Sequence, residues 1–288
     1  MKKTIALALA LVMAALSLAC AKPAATADAA PAETATGDYA DLMIVPGVDL
    51  AVEEYAIGFR TGSTAVAKVN EATAALLKDG SLQKIAEKYG QADVLITEPV
   101  AMDQAENAAA DDDWAYIQGK GEMIIGITLF DPMNYYEGDK LIGFDTEYAE
   151  AVCANLGVTP KFVEINWDTK EVELEAKSID CIWNGLTVTD ERKANMQFTD
   201  AYIENKQVIV IKAANADKYA DTASLSGANL VAEISSAGEG AIAEEANLSK
   251  ATYTAVAKQT DALLEVKSGT ADAAVIDYVM AKSMVGGK

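Results

Sequence analysis

The sequence contains no histidine among its 288 residues, and it has only three cysteines. Histidine is the commonest general base and metal ligand in proteins, so its absence argues against a hydrolase triad and against a zinc enzyme. Cys153 and Cys181 both lie in apolar stretches, which is typical of buried, unreactive thiols. Their spacing does not decide whether they form a disulfide. We therefore expect no catalytic residue, no metal and no other cofactor.

Basic side chains are also scarce, with 23 Lys and Arg against 44 Asp and Glu and a formal net charge of -21. Such an excess of carboxylates repels nucleic acid and anionic lipid surfaces, so neither is expected as a partner. Hydrophobic residues make up 51% of the chain, which is ordinary for a globular protein. No stretch after the N-terminus is apolar enough to span a bilayer, and the length suffices for two compact lobes.

Residues 1–20 have the character of an export signal, with two lysines before an apolar run and small residues before Cys20. Cys20 resembles the acylated cysteine of a bacterial lipobox. Ser17 stands where a lipobox usually has leucine, so ordinary signal cleavage remains the alternative. Residues 21–37 are rich in Ala, Pro, Thr and acids, which predicts a flexible tether. The expected location is extracytoplasmic, with lipidation of Cys20 as the only attachment to the cell membrane.

Short β-rich runs alternate with helical patterns along the rest of the chain, which predicts an α/β fold of parallel sheets covered by helices. Apolar residues at helical spacing from Phe144 to Leu156 predict one helix, ended by Gly157. Ser63 is expected to cap another helix, and residues 91–113 are expected to form an acidic linker. The predicted strands are EEYAIGFR (53–60), EMIIGIT (122–128), KFVEIN (161–166), SIDCIWNG (178–185), KQVIVIK (206–212), ANLVAEI (228–234) and TADAAVI (270–276).

Residues 184–202 form a distinctive motif, NGLTVTDERKANMQFTDAY. This motif resembles the G-x-T-x-T-x-x-R segment and the following F-[ST]-x-x-Y hinge of the polar amino-acid-binding proteins of ABC transporters, the family 3 solute-binding proteins. DPMNYYEGDKLIGFDTEYAEAV (131–152) resembles the opening strand and first helix of that family, and LEVKSGTADAAVIDYVMA (264–281) resembles a later segment. The resemblance extends from Asp38 to Lys288.

The resemblance implies two Rossmann-like lobes joined by hinge strands, which is the type II periplasmic binding protein fold. Residues 53–90 resemble a segment that stands at the C-terminus in that family, so a circularly permuted order is expected. The alternative, an unrelated helix-rich N-terminal domain, leaves lobe 2 without its return strand. The expected divisions are 38–50 in lobe 2, 51–90 in lobe 1, 91–113 as linker, 114–202 in lobe 1 and 203–288 in lobe 2, with hinges at Leu50–Tyr55 and Thr199–Lys206.

The function that the resemblance implies is binding of a polar L-amino acid outside the cytoplasm and its delivery to the permease of an ABC importer. A monomer is expected. Two alternatives stay open: a dehydratase of the arogenate or cyclohexadienyl type on the same fold, and a ligand-sensing module. The sequence does not decide which amino acid is bound, or whether the permuted order is natural or engineered.

A free amino acid is a zwitterion, so its binding site needs one cation and one anion to replace the lost water. The planar fork of Arg192 suits a bidentate contact with an α-carboxylate, and it matches the arginine that makes this contact in the family. The alternative is a solvent-facing arginine. Asp277 follows the apolar strand TADAAVI, and it matches the family's acceptor for the α-ammonium. Its alternative role, compatible with the first, is a helix N-cap.

The remaining candidate ligand-binding residues are assigned by the same resemblance. Gly185 and Thr187 would present backbone and hydroxyl groups to the ligand, and the aromatic residues Phe130 and Trp167 would enclose its side chain. Gly238 would let a helix start approach the ligand carboxylate. The polar residues Asn184 and Glu239 would contact the ligand side chain.

Overall fold

A computed structural model of the protein describes residues 38–104 and 112–286. The predicted signal peptide, the tether and Cys20 lie outside the described residues. The strands in chain order are β1 Leu42–Tyr55, β2 Gly58–Arg60, β3 Glu122–Ile127, β4 Tyr135–Glu137, β5 Lys140–Ile142, β6 Thr159–Glu164, β7 Cys181–Ile182, β8 Met196–Phe198, β9 Ile203–Lys212, β10 Asn229–Glu233, β11 Thr252–Val256 and β12 Ala273–Asp277.

Helices pack against the sheets that these strands form. They are α1 Ala65–Lys78, α2 Ser81–Lys88, α3 Asp113–Lys120, α4 Phe144–Leu156, α5 Lys170–Glu175, α6 Asp190–Asn195, α7 Ala237–Glu244, α8 Gln259–Ser268 and α9 Tyr278–Met284. Within the described ranges, no helix combines the length and the apolar character needed to cross a bilayer.

Two five-stranded sheets organise the molecule. Sheet 1 has the order β6-β3-β7-β2-β8, and sheet 2 has the order β1-β9-β12-β10-β11. In sheet 1, β3 runs parallel to β6 and β7, whereas β2 runs antiparallel to β7 and β8. In sheet 2, β10 runs parallel to β11 and β12, whereas β9 runs antiparallel to β1 and β12. The predicted α/β class is therefore confirmed.

The chain passes between the sheets at two described places. It leaves β1 of sheet 2 at Tyr55 and enters β2 of sheet 1 at Gly58, and it leaves β8 of sheet 1 at Phe198 and enters β9 of sheet 2 at Ile203. The two passages lie side by side, because the Tyr202 amide donates to the Tyr55 carbonyl at 2.9 Å. Two adjacent extended connections of this kind are suited to act as a hinge.

Several predicted elements match the structure and others differ in extent. Helix α4 has the predicted bounds, whereas EEYAIGFR divides into the end of β1 and the short β2, and SIDCIWNG yields only the two residues of β7. Ser63 is not the N-cap of α1: that place is taken by Thr64, which makes no capping hydrogen bond. The Ser63 hydroxyl instead donates to Asp113 Oδ2 at 2.7 Å. Strand β11 was not predicted.

The predicted acidic linker, residues 91–113, is described up to residue 104 and again from residue 112. Its first described part contacts a strand of each sheet. Leu95 forms a β-bridge with Ile203 of sheet 2. The Gln104 side chain donates to the Phe198 carbonyl at 2.7 Å and accepts from the Phe198 amide at 2.8 Å. Helix α3 then begins at Asp113, with the Asp112 side chain accepting from the Ala115 amide.

A buried ionic cluster joins β2, α3 and the loop before β7. The Arg60 guanidinium donates to Asp113 Oδ1 at 2.7 Å and lies 3.4 Å from Asp180 Oδ1. It also donates to the carbonyl oxygens of Leu174 and Ile179, at 3.1 and 2.7 Å. Lys120 forms an ion pair of 2.6 Å with Asp180. The cluster ties sheet 1 to two of its helices.

The two cysteines of the folded region are both free and buried. Cys153 lies on α4 and Cys181 on β7. Burial raises the pKa of the Cys153 thiol to about 12, and it raises the pKa of the Cys181 thiol well above its usual value. Neither is a thiolate at neutral pH, so neither has the character of a reactive nucleophile.

Candidate functional site

A cleft lies between the two sheets and encloses about 360 Å³ of empty space, part of which is open to solvent; it is called the cavity below. Its walls come from the ends of strands and from helix starts, which is where α/β sheets commonly bind ligands. The lining residues are Thr128, Leu129, Phe130, Trp167, Asn184, Gly185, Thr187 and Arg192 on the side of sheet 1, and Glu233, Ser236, Ala237, Gln259, Asp277 and Met280 on the side of sheet 2. Seven of the nine predicted ligand-binding residues are in this set.

Arg192 lies in α6, where the Thr189 side chain caps the helix by accepting from the Arg192 amide at 3.1 Å. The side chain is only 6% exposed. Its guanidinium donates to the carbonyl oxygens of Thr187 at 2.8 Å and Ser235 at 3.0 Å. Within residues 38–104 and 112–286 it forms no ion pair with a carboxylate. A buried cation held by neutral groups alone is a ready site for an anion.

Asp277 ends β12, is buried, and is the N-cap residue of α9 without making a side-chain capping bond. Its Oδ1 accepts from the Tyr55 hydroxyl at 2.7 Å, the Asn205 amide group at 2.6 Å and the Gln207 amide group at 2.8 Å. Its Oδ2 accepts from the Gln259 side chain. Four donors hold the carboxylate in one orientation toward the cavity.

Glu53 of β1 is a carboxyl group that the sequence did not predict and that lies behind the cavity wall, sharing donors with Asp277. Its Oε1 accepts from the Thr187 hydroxyl at 2.9 Å, from Asn205 at 2.6 Å and from Gln207 at 2.8 Å. Burial, and the like charge of Asp277, raise the pKa of Glu53 to about 8. Glu53 and Asp277 therefore share two donors, the side-chain amides of Asn205 and Gln207. Through its bond to Glu53, the Thr187 hydroxyl connects the loop after β7 to this network in sheet 2.

Glu233, at the end of β10, was also missed. It lines the cavity and is 4% exposed. Burial and the neighbouring charge of Asp277 raise the pKa of Glu233 to about 8. The only sequence signal was an acid at the end of an otherwise apolar strand, ANLVAEI.

Gly185 occupies a position that excludes a side chain. Its φ of 56° lies in the left-handed region, and an added Cβ would come within 2.5 Å of the Phe130 ring and 3.1 Å of the Tyr55 ring. Its amide donates to Asp145 Oδ2 at 2.7 Å, and the Tyr202 hydroxyl donates to the same oxygen at 3.0 Å. The buried Asp145 thus fixes the loop that carries Gly185 into the cavity.

The polar atoms of Asn184 are used within sheet 1. Its Nδ2 donates to the Thr128 carbonyl at 2.9 Å and to Asn134 Oδ1 at 2.6 Å, while its Oδ1 accepts from the Thr128 amide and hydroxyl. Trp167, by contrast, has a buried indole N–H without a partner among the described residues. Asn184 therefore positions Thr128, whereas Trp167 lines the cavity without using its N–H in a hydrogen bond to the described residues.

Gly238 and Glu239 do not line the cavity. An added Cβ at Gly238 would come within 2.6 Å of the Val275 carbonyl oxygen, so this glycine allows α7 to pack on β12. Glu239 accepts from the Ser235 amide at 2.6 Å and so stabilises Ser235 at a φ of 57°. The residues of this segment that do reach the cavity are Ser236 and Ala237, at the start of α7.

Three carboxyl groups, the half-buried Glu53 and the buried Glu233 and Asp145, have pKa values raised to about 8, about 8 and about 7, each chiefly because of desolvation. The folded protein therefore holds protons that the unfolded chain releases. Its stability is greatest below the ordinary carboxyl pKa and falls as the pH rises through 7 to 8.

We expect the melting temperature to fall by about 5 °C or more between pH 5 and pH 9. The measurement is thermal unfolding followed by circular dichroism in high salt, which screens the repulsion among surface carboxylates. The Asp145→Asn variant should show a shallower dependence. A melting temperature that stays level or rises over this range would show that these groups are ionised in the folded protein.

Comparison with known families gives one match that covers most of the folded chain. The model of the bacterial extracellular solute-binding proteins, family 3, matches residues 123–280. This span contains all nine predicted ligand-binding residues, but it leaves out β1, β2 and the helices that follow them.

Two curated relatives, both amino-acid-binding proteins, match over shorter stretches. The arginine-binding extracellular protein ArtP of Bacillus subtilis is 33% identical over 95 residues, which is 33% of this chain and 37% of that protein. The L-cystine-binding protein TcyA of the same organism is 34% identical over 115 residues, or 39% of this chain and 42% of that protein. The chain thus spans about two fifths of the length of these curated relatives.

Among solved structures, the ancestral amino-acid-binding protein AncCDT-1, described as a precursor of cyclohexadienyl dehydratase, aligns with a TM-score of 0.56 and 30% identity. The alignment covers 59% of this chain and 75% of that one. The similarity therefore extends to the fold as well as to the sequence.

Proposed function

Because this chain belongs to the bacterial extracellular solute-binding proteins of family 3, we propose that it binds a polar L-amino acid between its two sheets and delivers it to the permease of an ABC importer. One observation carries the proposal. Arg192, a buried cation with no carboxylate partner in the described chain, and Asp277, a buried carboxylate, line the same cavity from opposite sides. This pair of charges is complementary to the two charges of a free amino acid.

In the bound state, Arg192 contacts the α-carboxylate and Asp277 accepts from the α-ammonium. The walls are formed by Phe130 and Trp167. Of the four hydrogen bonds that Asp277 accepts, three go to Oδ1 and only one, from Gln259, goes to Oδ2. Each carboxylate oxygen has about two acceptor sites, so the α-ammonium binds at Oδ2, beside Gln259 in the cavity wall.

Closure of the two sheets around the ligand is the proposed mechanism, as in other periplasmic binding proteins. Contacts across the cleft support it. The Ser235 carbonyl of the sheet 2 side accepts from Arg192 at 3.0 Å and from Lys170 at 3.4 Å, and Lys258 pairs with Glu164 at 3.0 Å. The ligand favours the closed form because only in that form can Arg192 and Asp277 contact the same ligand molecule. The permease then recognises the closed shape.

A circularly permuted chain order is part of the proposal. Strands β1 and β2 lie before the family match at residues 123–280, yet β1 pairs along β9 in sheet 2, and β2 lies between β7 and β8 in sheet 1. Both sheets would be incomplete without this N-terminal segment. We place its equivalent at the C-terminus of unpermuted relatives, with residues 91–113 joining the former ends.

We further propose that the protein is a monomer held on the outer face of the cell membrane by a lipid on Cys20. The location of the relatives supports the extracellular part of this proposal, since ArtP is named an extracellular protein and the family model describes extracellular proteins. The lipobox-like residues before Cys20 support the anchor.

Binding is tested by a thermal-shift screen of the purified protein against the twenty amino acids and cystine, with calorimetric titration of every compound that raises the melting temperature. A ligand at about 100 times its Kd stabilises the folded state by ~2.7 kcal/mol. At least one polar L-amino acid should shift the transition by several degrees, and its D-enantiomer should not. Failure of every compound to shift the transition would refute the function.

A dehydratase is the second candidate, because AncCDT-1 is described as a precursor of such an enzyme and because the site has carboxyl groups with raised pKa, which suits a general acid. Incubation with arogenate and prephenate distinguishes the two functions. The binding proposal predicts no turnover of either compound.

A further inference from the structure

Glu233 is the one carboxylate in the wall of the cavity whose acceptor atoms are not used by the protein. Asp277 accepts from four side chains. The Glu233 carboxylate, in contrast, forms no hydrogen bond and no ion pair with any residue of the described ranges. It is nevertheless only 4% exposed. Burial raises its pKa to about 8, so it keeps its proton near neutral pH, yet a buried carboxyl group without a hydrogen-bond partner is still costly. Its place in the wall points to a partner supplied from the cavity.

The position of Glu233 directs it to the same space as Asp277. Strands β10 and β12 are parallel neighbours, with Leu230 opposite Ala273 and Val231 opposite Ala274. Both strands end at the same edge of sheet 2, so Glu233 and Asp277, their last residues, lie side by side. The like charge of Asp277 is a cause of the raised pKa of Glu233.

The cavity wall has one ionisable group more than a ligand with a neutral side chain can pair. Its ionisable residues are one cation, Arg192, and two carboxylates, Glu233 and Asp277. A zwitterion satisfies Arg192 and Asp277 and leaves Glu233 unpaired. A ligand with one more positive charge satisfies all three.

Other charged groups near Glu233 do not take this role. Lys170, Lys258 and Asp261 act on it electrostatically. Lys170 donates instead to the carbonyl oxygens of Trp167 and Ser235, at 3.2 and 3.4 Å. Lys258 forms its ion pair with Glu164 at 3.0 Å. The cations of the protein near Glu233 are therefore directed to other acceptors.

We propose that Glu233 is a specificity-determining residue, and that it selects an L-amino acid whose side chain bears a cationic group. This inference depends on the proposed function and deepens it. The ammonium or guanidinium of the ligand side chain lies against Glu233, while its α-carboxylate and α-ammonium contact Arg192 and Asp277. The aromatic wall formed by Phe130 and Trp167 holds the aliphatic part of the side chain.

The test compares two pairs of ligands that differ in side-chain charge at similar size, L-arginine with L-citrulline and L-lysine with L-norleucine, by calorimetry on the wild type and on Glu233→Gln. The wild type should bind the cationic member of at least one pair about 30-fold more tightly or better. Glu233→Gln should lose most of that preference through weaker binding of the cation. Glu54→Gln, at an exposed glutamate of β1, should keep it.

A separate measurement does not depend on the folding of a variant. At pH 7.5, titration of the wild type in two buffers of different ionisation enthalpy should show proton release when the cationic amino acid binds, and none for its neutral counterpart, because the cation ionises Glu233.

Equal affinities within both pairs in the wild type, an unchanged preference in Glu233→Gln, or equal proton release for the two members of a pair would overturn the role of Glu233. If neutral amino acids bind and arginine and lysine do not, the proposed function survives and this inference fails. If no amino acid binds at all, both fail.

Discussion

Replacing Arg192 by alanine is expected to weaken amino-acid binding by roughly 2–5 kcal/mol, which is a loss of about 30-fold or more in affinity. The α-carboxylate must leave water to enter a cavity in which Arg192 is the single cation among the described lining residues. Without the guanidinium, the ligand anion would be buried beside Glu233 and Asp277. The uncompensated charge, and not the lost area of contact, accounts for the size of the effect.

The measurement is calorimetric titration of Arg192→Ala with the amino acid that the wild type binds best. Lys193→Ala is the matched control, since Lys193 is the next residue of α6 and pairs with the exposed Asp190 at 2.8 Å outside the cavity. It should bind as the wild type does. Affinity of Arg192→Ala within about threefold of the wild type, in a protein that still unfolds cooperatively, would remove Arg192 from the site.

The largest effect on stability is expected from Arg60→Ala, at about 3–5 kcal/mol. The substitution leaves Asp113 without its cation and Asp180 with Lys120 alone, and it leaves the carbonyl oxygens of Leu174 and Ile179 without the donor they now have. For a domain of this size, such a loss lowers the melting temperature by roughly 10 °C.

Urea unfolding of Arg60→Ala, with Lys68→Ala as the control, measures this effect. Lys68 pairs with Glu71 on the exposed face of α1, and removing an exposed pair of this kind costs ~0.5 kcal/mol. A loss of under 1 kcal/mol for Arg60→Ala would mean that the cluster is neutral to folding. Ligand affinity should change little, since Arg60 does not line the cavity.

Patterns of hydrophobic residues predicted the long helices of this fold, but they failed for the short elements and for all except the last three residues of β1, a strand without regular alternation of buried and exposed residues. Thirteen residues of α4 carry enough repeats of the helical period to fix its bounds. The two residues of β7 and the three of β2 and β8 are too few for any period. Strand β11 was missed because it lies at the edge of sheet 2, so none of its residues is fully buried and its sequence has no apolar run.

The residues that the sequence correctly brought to the cavity wall are those with a motif around them, and the carboxyl groups that it missed are those that only packing removes from solvent. Arg192 and Asp277 stand in recognisable segments. Glu53 and Glu233 look like ordinary surface acids in the sequence, and only the packing of the two sheets buries them. Gly238 was placed by motif in the ligand contact, but the direction of α7 turns it toward β12 and brings Ser236 and Ala237 to the cavity instead.

A crystal structure of the protein with its tightest-binding amino acid is the most direct test. We predict that the bound carboxylate lies about 2.7–3.2 Å from the guanidinium of Arg192 on one wall, with the ammonium at the same range from Asp277 on the other. An amino acid found outside this cleft, or inside it with its carboxylate turned away from Arg192, would contradict a site made by two opposite charges closing on one molecule.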